Sequence, residues 1–344
     1  MDITSFRQDL LEWYQTHQRD LPWRRHHDPY CIWISEIMLQ QTQVETVKPY
    51  FERFISRYPT VKELAHADLE EVYKYWGGLG YYQRAKHLWQ TAQTIVNQYQ
   101  GEFPTTYEAL LQLKGIGPYT ASAIASIAFQ IPKGVVDGNV LRIYSRLYAL
   151  EDNIALSSTR NKIQTLVDST LDPQDPSSFN QGLMDLGAMI CRPRDPLCDT
   201  CPLQIHCQAK ARNLAASLPI NIKKINTKEI HYMCAILEYQ GKYWLVQNDQ
   251  RLLEHLYGFV QYEVESLHSF CEAFYQDFHE NIILDSYIQD VRHVFTHRIW
   301  KMHVYHGTFL QKPQLSLRSL EEIADIPVST AHKKVLQAYL KYVG

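Results

Sequence analysis

The chain has 344 residues, 45% of them apolar, and a formal net charge of −3, which is more than one average domain holds and enough for two buried cores. It contains no stretch near the roughly 18 to 20 apolar residues of a membrane span, and its start lacks the apolar core of a signal peptide, so a soluble, cytoplasmic protein is expected. So mild an acidic balance is no evidence for a nucleic-acid partner, which has to be argued from local clusters.

Apolar residues first recur at helical spacing, through "SFRQDLLEWYQTH", "YCIWISEIMLQQTQVETVKPYFERFISRY", "DLEEVYKYWG", "RAKHLWQTAQTIVNQY", "TYEALLQLK", "PYTASAIASIAF", "NVLRIYSRLYAL", "STRNKIQTLVDSTL" and "SSFNQGLMDLGAMIC". Ser, Thr or Asp opens several of these and Gly or Pro closes them. Residues 1–211 are therefore expected to form an all-helical domain. Residues 212–228 lose the period and carry Pro219 and several lysines, the pattern of a linker. From "IHYMCAILEYQGKYWLVQ" onward the pattern is β-rich, with a hairpin turn expected at Gln240-Gly241. Helices expected near 265–279 and 329–342 make residues 229–344 an α+β domain.

Four local patterns carry chemistry. Gly115 and Gly117, between a short helix and a Pro-initiated one, permit a tight turn whose backbone N–H groups can face a phosphate; an ordinary helical corner would look the same. Asp137, just before a helix, can cap it or act on a nearby positive charge. Glu36 lies among Trp33, Ile34, Ile37, Met38 and Leu39, so an inward carboxyl would be desolvated and its pKa raised, as a general acid requires. Cys191, Cys198, Cys201 and Cys207 have six, two and five residues between them. In a reducing compartment such a group suggests metal ligands, and spacing alone permits either a four-thiolate zinc site or an iron–sulfur cluster. Cys31, Cys234 and Cys271 stand apart and are expected to be buried small hydrophobes.

The segment around "LKGIGPYT" resembles the helix-hairpin-helix of DNA-repair proteins. With Asp137 twenty residues on and the cysteines behind it, the chain resembles the endonuclease III branch of the helix-hairpin-helix glycosylases, whose [4Fe–4S] loop has this spacing. Within that branch "LPWRRHHDPYCIWISEIMLQQTQVETVKPYFERF" and "GLGYYQRAKHL" resemble the MutY family of adenine DNA glycosylases, which remove adenine paired with 8-oxoguanine. The likeness is near-continuous from about residue 20 to 207 and weaker beyond 229. It implies that Glu36 protonates adenine at N7, and that Asp137 stabilises the sugar cation or bonds to its carbon, with Tyr119 and Asn139 orienting them. It implies a pocket for a flipped adenine lined by Arg19, Leu21, Trp23, Arg24 and Gln181. It gives Gln41, Thr42, Leu79 and Tyr81 as wedge and 8-oxoguanine contacts, Gly115 and Gly117 as the phosphate-binding turn, and the four cysteines as ligands of a structural [4Fe–4S] cluster. Arg192 and Arg194 would form a basic lip on that loop. The implied partner is double-stranded DNA with 8-oxoguanine:adenine or guanine:adenine mispairs, bound by a monomer.

Endonuclease III carries a lysine just after the hairpin glycines, where this chain has Pro118-Tyr119. Tyrosine cannot form a Schiff base, so the expectation is a monofunctional glycosylase that leaves an abasic site. Residues 229–344 resemble the family's MutT-like module, a Nudix fold, but lack the Gly-x5-Glu-x7-Arg-Glu-x-x-Glu-Glu metal-binding array, so no nucleotide hydrolysis is expected. The family's Phe-Ser-His reading loop matches Phe295, Thr296 and His297, with threonine in place of serine. Two alternatives stay open at this level: an endonuclease III-like glycosylase and lyase, and a non-catalytic damaged-DNA-binding protein.

Overall fold

The computed structural model describes residues 2–25, 27–222, 227–248, 253, 256–295 and 297–344; Thr296 lies outside them. The chain divides into two compact units, residues 1–223 and 224–344.

In the first unit the helices run α1 (Ile3–His17), α2 (Pro29–Leu39), α3 (Val44–Arg57), α4 (Val61–His66), α5 (Leu69–Trp76), α6 (Gln83–Tyr99), α7 (Tyr107–Leu111), α8 (Pro118–Phe129), α9 (Gly138–Leu147), α10 (Ser157–Thr170), α11 (Pro176–Met189) and α12 (Gln208–Ala211). The long periodic stretch after residue 30, which reads as one helix, is two. Gln41 adopts a left-handed φ of 60°, which no helix continues through, and α3 restarts at Val44.

Helix α2 is buried on every side from Tyr30 to Met38, and α8 from Thr120 to Ile127. Helices apolar all round belong at the centre of a domain, and these two pack on each other. Proline stands at the first turn of α2, α8 and α11, where its fixed φ suits a helix and its missing N–H costs nothing. Helices α9 and α11 approach so closely that a Cβ on Gly187 would lie 2.5 Å from the Cβ of Asn139, so only glycine fits.

The second unit is built on a mixed sheet. Its strands are β1 (Lys228–Tyr239), β2 (Lys242–Trp244), β3 (Val246–Gln247), β4 (Tyr257–Gly258), β5 (Val260–Tyr262), β6 (Ile282–Val294), β7 (Arg298–Phe309) and β8 (Leu317–Arg318), with helices α13 (Leu267–Phe278), α14 (Leu320–Asp325) and α15 (Thr330–Val343). The order is β6-β7-β1-β2-β8, with β5 also on β1 and a separate β3–β4 pair. Strands β1 and β7 run parallel, while β2 returns antiparallel on β1. That return is made by Gln240 and Gly241, both at positive φ, the two-residue hairpin geometry that matches strand twist. Alternate β1 residues feed opposite faces: Ile230, Cys234 and Ile236 pack with α15, and Met233, Ala235 and Leu237 with α13. Among the described residues no helix is long and apolar enough to cross a membrane.

Candidate active site

A cavity of about 650 Å³ opens in the first unit between α2, α8, α9 and α11. Its lining includes Arg19, Leu21, Trp23, Arg24, Glu36, Gln41, Thr42, Tyr119, Asp137, Asn139 and Gln181, so residues from distant sequence positions meet there. Trp23 is at once core and wall: it is buried against Phe51, ring edge to face, and faces the cavity.

At one end stand two carboxyls. Tyr119, carried in by α8, donates its hydroxyl to Glu36 Oε2 at 2.5 Å. Burial pushes the Glu36 carboxyl up to about 7, and nearby Asp137 adds to the rise, while the Tyr119 hydrogen bond and Arg24 oppose it. The Tyr119 hydroxyl itself is raised by burial and by Glu36, so it stays a proton donor. Asp137 is the N-cap of α9: Oδ1 accepts from the Val140 N–H at 2.7 Å and Oδ2 from Asn139 Nδ2 at 2.8 Å. Burial raises this carboxyl too, although those hydrogen bonds pull the other way. One group that holds a proton near neutrality thus sits beside a second buried carboxyl whose ionised form two hydrogen-bond donors favour against burial.

Three charged residues that support this end or the cysteine loop behind it were not singled out in the sequence. Asp185, fully buried, accepts from the Arg19 backbone N–H and Nε and from both terminal nitrogens of Arg24 at 2.7–3.0 Å. Burial alone would lift its carboxyl, but the two guanidiniums outweigh it and hold it below the usual range. This ion pair fixes Arg24 near Glu36. Arg142 donates to Asn139 Oδ1 at 2.9 Å, to the Gly187 carbonyl at 2.8 Å and to the Cys191 carbonyl at 2.7 Å. Four residues on, Arg146 donates to Cys191 Sγ at 3.2 Å and to the Arg192 carbonyl at 2.8 Å. The i, i+4 spacing on α9 was the available signal, and "LRIYSR" shows it only once α9 is known to lie under the cysteine loop.

Cys191, Cys198, Cys201 and Cys207 line a second, small cavity together with Arg146 and Lys210. Burial and the neighbouring thiols push Cys201 up to about 12 and raise Cys207. Four thiols this close resist ionising together unless a cationic centre joins them, and apolar walls with one guanidinium on a sulfur suit such a centre. Among the described residues no three His, Cys, Asp or Glu side chains converge on a single point as one metal ion would require; the thiols ring a cavity. Of the expected basic lip, Arg194 is exposed, whereas Arg192 is half-buried and turns back to the Asp195 carbonyl.

The remaining positions lie outside both cavities. Gly115, at φ 78°, makes the tight turn before α8, with His87 filling the space a side chain would need; Gly117 precedes α8 with open space around it. Of the four expected wedge and 8-oxoguanine contacts, Gln41 and Thr42 line the first cavity, whereas Tyr81 is 51% exposed and Leu79 is only 6% exposed. In the second unit Phe295 is half-buried against His293 and Trp300, and His297 is exposed.

Residues 34–169 match the HhH-GPD superfamily of base excision DNA repair proteins, and residues 232–338 match the NUDIX domain. An adenine DNA glycosylase of Buchnera aphidicola (from Schizaphis graminum) is 36% identical over 267 residues, 77% of either chain. The chain belongs to the adenine DNA glycosylase family. The rat and human adenine DNA glycosylases are 46% and 44% identical over 220 residues, but these matches span 43% and 40% of the mammalian chains, so this family member corresponds to less than half their length. A thermostable thymine-DNA glycosylase structure, 30% identical, superposes on 61% of this glycosylase-family chain and 97% of its own with a TM-score of 0.55. An endonuclease III–DNA complex, at 23% identity and a TM-score of 0.52 over 62% of this chain and 99% of its own, shows the same fold.

Proposed function

We propose that this chain hydrolyses the N-glycosidic bond of adenine opposite 8-oxoguanine or guanine in duplex DNA, leaving an abasic site. The observation that carries this reading is the buried Glu36–Tyr119 pair beside the hydrogen-bonded Asp137–Asn139 pair at one end of a single cavity. An adenine unstacked from the duplex enters that cavity. Glu36, protonated at neutral pH through burial, delivers its proton to N7 and makes the base a better leaving group. As the glycosidic bond breaks, its electron pair leaves with the base and positive charge develops on the sugar, where Asp137 stabilises it or bonds to the carbon, as the second carboxylate of a retaining glycosidase does. Water then adds to that carbon, displacing Asp137 where it has bonded, and gives up a proton. The hydrogen bond from Asn139 keeps the Asp137 carboxylate oriented. Tyr119 occupies the place where a lyase needs an amine, so strand cleavage does not follow.

The second unit reads the partner base through Phe295, Thr296 and His297, and Gln41, Thr42 and Tyr81 contact it from the first. The hairpin at Gly115 and Gly117 takes a backbone phosphate. The four cysteines would hold a [4Fe–4S] cluster, whose cationic core would offset part of the charge of four close thiolates, and their ligation would tie off the loop whose Cys191 carbonyl Arg142 grips. The chain acts as a monomer, as expected from the sequence.

The test is single-turnover adenine release from 8-oxoguanine:adenine and guanine:adenine duplexes. Release from both, faster opposite 8-oxoguanine and falling as pH rises through about 7, is expected from the Glu36 carboxyl. Binding without release would make the chain a scaffold, and a borohydride-trapped adduct would make it a lyase.

A further inference from the structure

Arg84, at the start of α6, lines neither cavity. Its guanidinium holds two separate segments at once. Nη1 reaches the carbonyls of Ile37, Met38 and Gln40 at 2.7, 3.0 and 2.8 Å, in and just past the last turn of α2, where carbonyls lack intrahelical partners. Nη2 reaches the carbonyls of Leu79 and Gly80 at 3.2 and 3.1 Å. The group lies by the rings of Trp76 and Tyr81, 5.2 and 5.4 Å from their centroids, and Trp76 Nε1 donates to the same Gly80 carbonyl at 3.0 Å.

Each segment also contains a non-glycine residue at left-handed φ, Gln41 at 60° and Tyr81 at 50°. Such conformations persist where surroundings over-determine them. Here one cation supplies hydrogen bonds to both segments, and each strained residue directly follows one whose carbonyl it holds, Gln40 and Gly80. Glu36 immediately precedes Ile37, whose carbonyl makes the shortest of the five bonds.

We propose that Arg84 is a positioning residue that locks the partner-probing loops at Gln40–Thr42 and Gly78–Tyr81 into one rigid part with the helix bearing Glu36, so that the base opposite the adenine is sensed where the acid is held. This rests on the reading above that both loops face the DNA. The planar fork of arginine is required, because a lysine ammonium has three donors at one point and cannot span five carbonyls in two segments. Charge alone is therefore no substitute.

The experiment compares single-turnover adenine release opposite 8-oxoguanine and opposite guanine for the full chain, Arg84→Lys, Tyr81→Ala and the double variant, with thermal melting of each. The expected result is that Arg84→Lys lowers the ratio of the two rates by about tenfold, that Tyr81→Ala does likewise, and that the double variant falls little further, since both act on one contact. The pH at which the rate declines should stay where Glu36 sets it. An unchanged ratio in Arg84→Lys with a lowered one in Tyr81→Ala, or losses that multiply, would overturn the inference alone. An unchanged ratio in Tyr81→Ala would overturn the reading that the loop faces DNA, and the inference with it. If the lysine variant melts below the assay temperature, Arg84→Gln carries the same ratio test. Equal slowing opposite both partners would show a merely structural arginine and also overturn the inference.

Discussion

In the first unit burial lifts the Glu36 carboxyl to about 7, and in the second it drives the His332 imidazole down to about 4. The cause is shared: a low-dielectric interior disfavours whichever form is charged. The surroundings are not. Glu36 opens on a cavity and meets another side chain that can move a proton, whereas His332 is sealed among Phe259, Trp300 and the backbone of Gly258, with its Nδ1 accepting from the Phe259 N–H at 3.2 Å. A displaced pKa therefore marks chemistry where the group faces space and a proton partner. Where its polar atom is spent on backbone, the same displacement marks a device of the fold.

The sharpest way to break that contrast is to neutralise each group. Glu36→Gln and Asp137→Asn should each slow adenine release at least about a hundredfold while mismatch binding survives. His332→Asn, whose amide oxygen can still accept from Phe259, should leave single-turnover release within about twofold. A large rate loss in the histidine variant, or turnover in either carboxyl variant, would erase the distinction.

A smaller effect belongs to the second unit itself. Phe295→Ala together with His297→Ala in the full chain should cut the preference for 8-oxoguanine over guanine by about one to two powers of ten, at roughly 1 to 3 kcal/mol per lost contact. The rate on guanine:adenine should hardly move. An intact preference would remove the stretch as a reading loop.

The last effect is on stability and leaves the rates aside. A carboxyl raised on folding makes the native state bind the proton more tightly, so its contribution to stability falls as pH rises from about 4.5 to 7; a histidine lowered on folding costs stability as pH drops from about 6.5 to 4. Glu36→Gln should accordingly gain melting temperature over the parent chain as pH goes from 5 to 8, by up to about 3 kcal/mol in stability. His332→Asn should gain on its parent only toward pH 4. Parallel melting curves for either pair would show that burial is not what displaces that group.

Much of the first unit was legible in its residues. A glutamate inside an apolar run signals desolvation, an aspartate before a helix signals a cap, and cysteine spacing signals a common site. What could not be read were contacts between residues far apart in the chain. Asp185 looks like any acid on a helix until α11 sets it against Arg19 and Arg24, and Arg84 looks like a surface cation until five carbonyls surround it. Leu79 was expected as a contact with DNA because "GLGYY" resembles the family's probing segment; at 6% exposure it is buried, which the resemblance of a short stretch does not show. In the second unit the hairpin at Gln240-Gly241 was visible, but the parallel pairing of β1 with β7, some seventy residues apart, has no local sequence signature.

Asp137 divides its two oxygens between two obligations. Oδ1 closes the first turn of α9 through Val140, while Oδ2 meets Asn139 at the cavity. Should a sugar carbon bond to Oδ2 during turnover, Oδ1 would remain as an ester carbonyl, still able to accept from the Val140 N–H. The helix would keep its start through every step of the reaction, so the scaffold never has to loosen in order for its own cap to become a reagent.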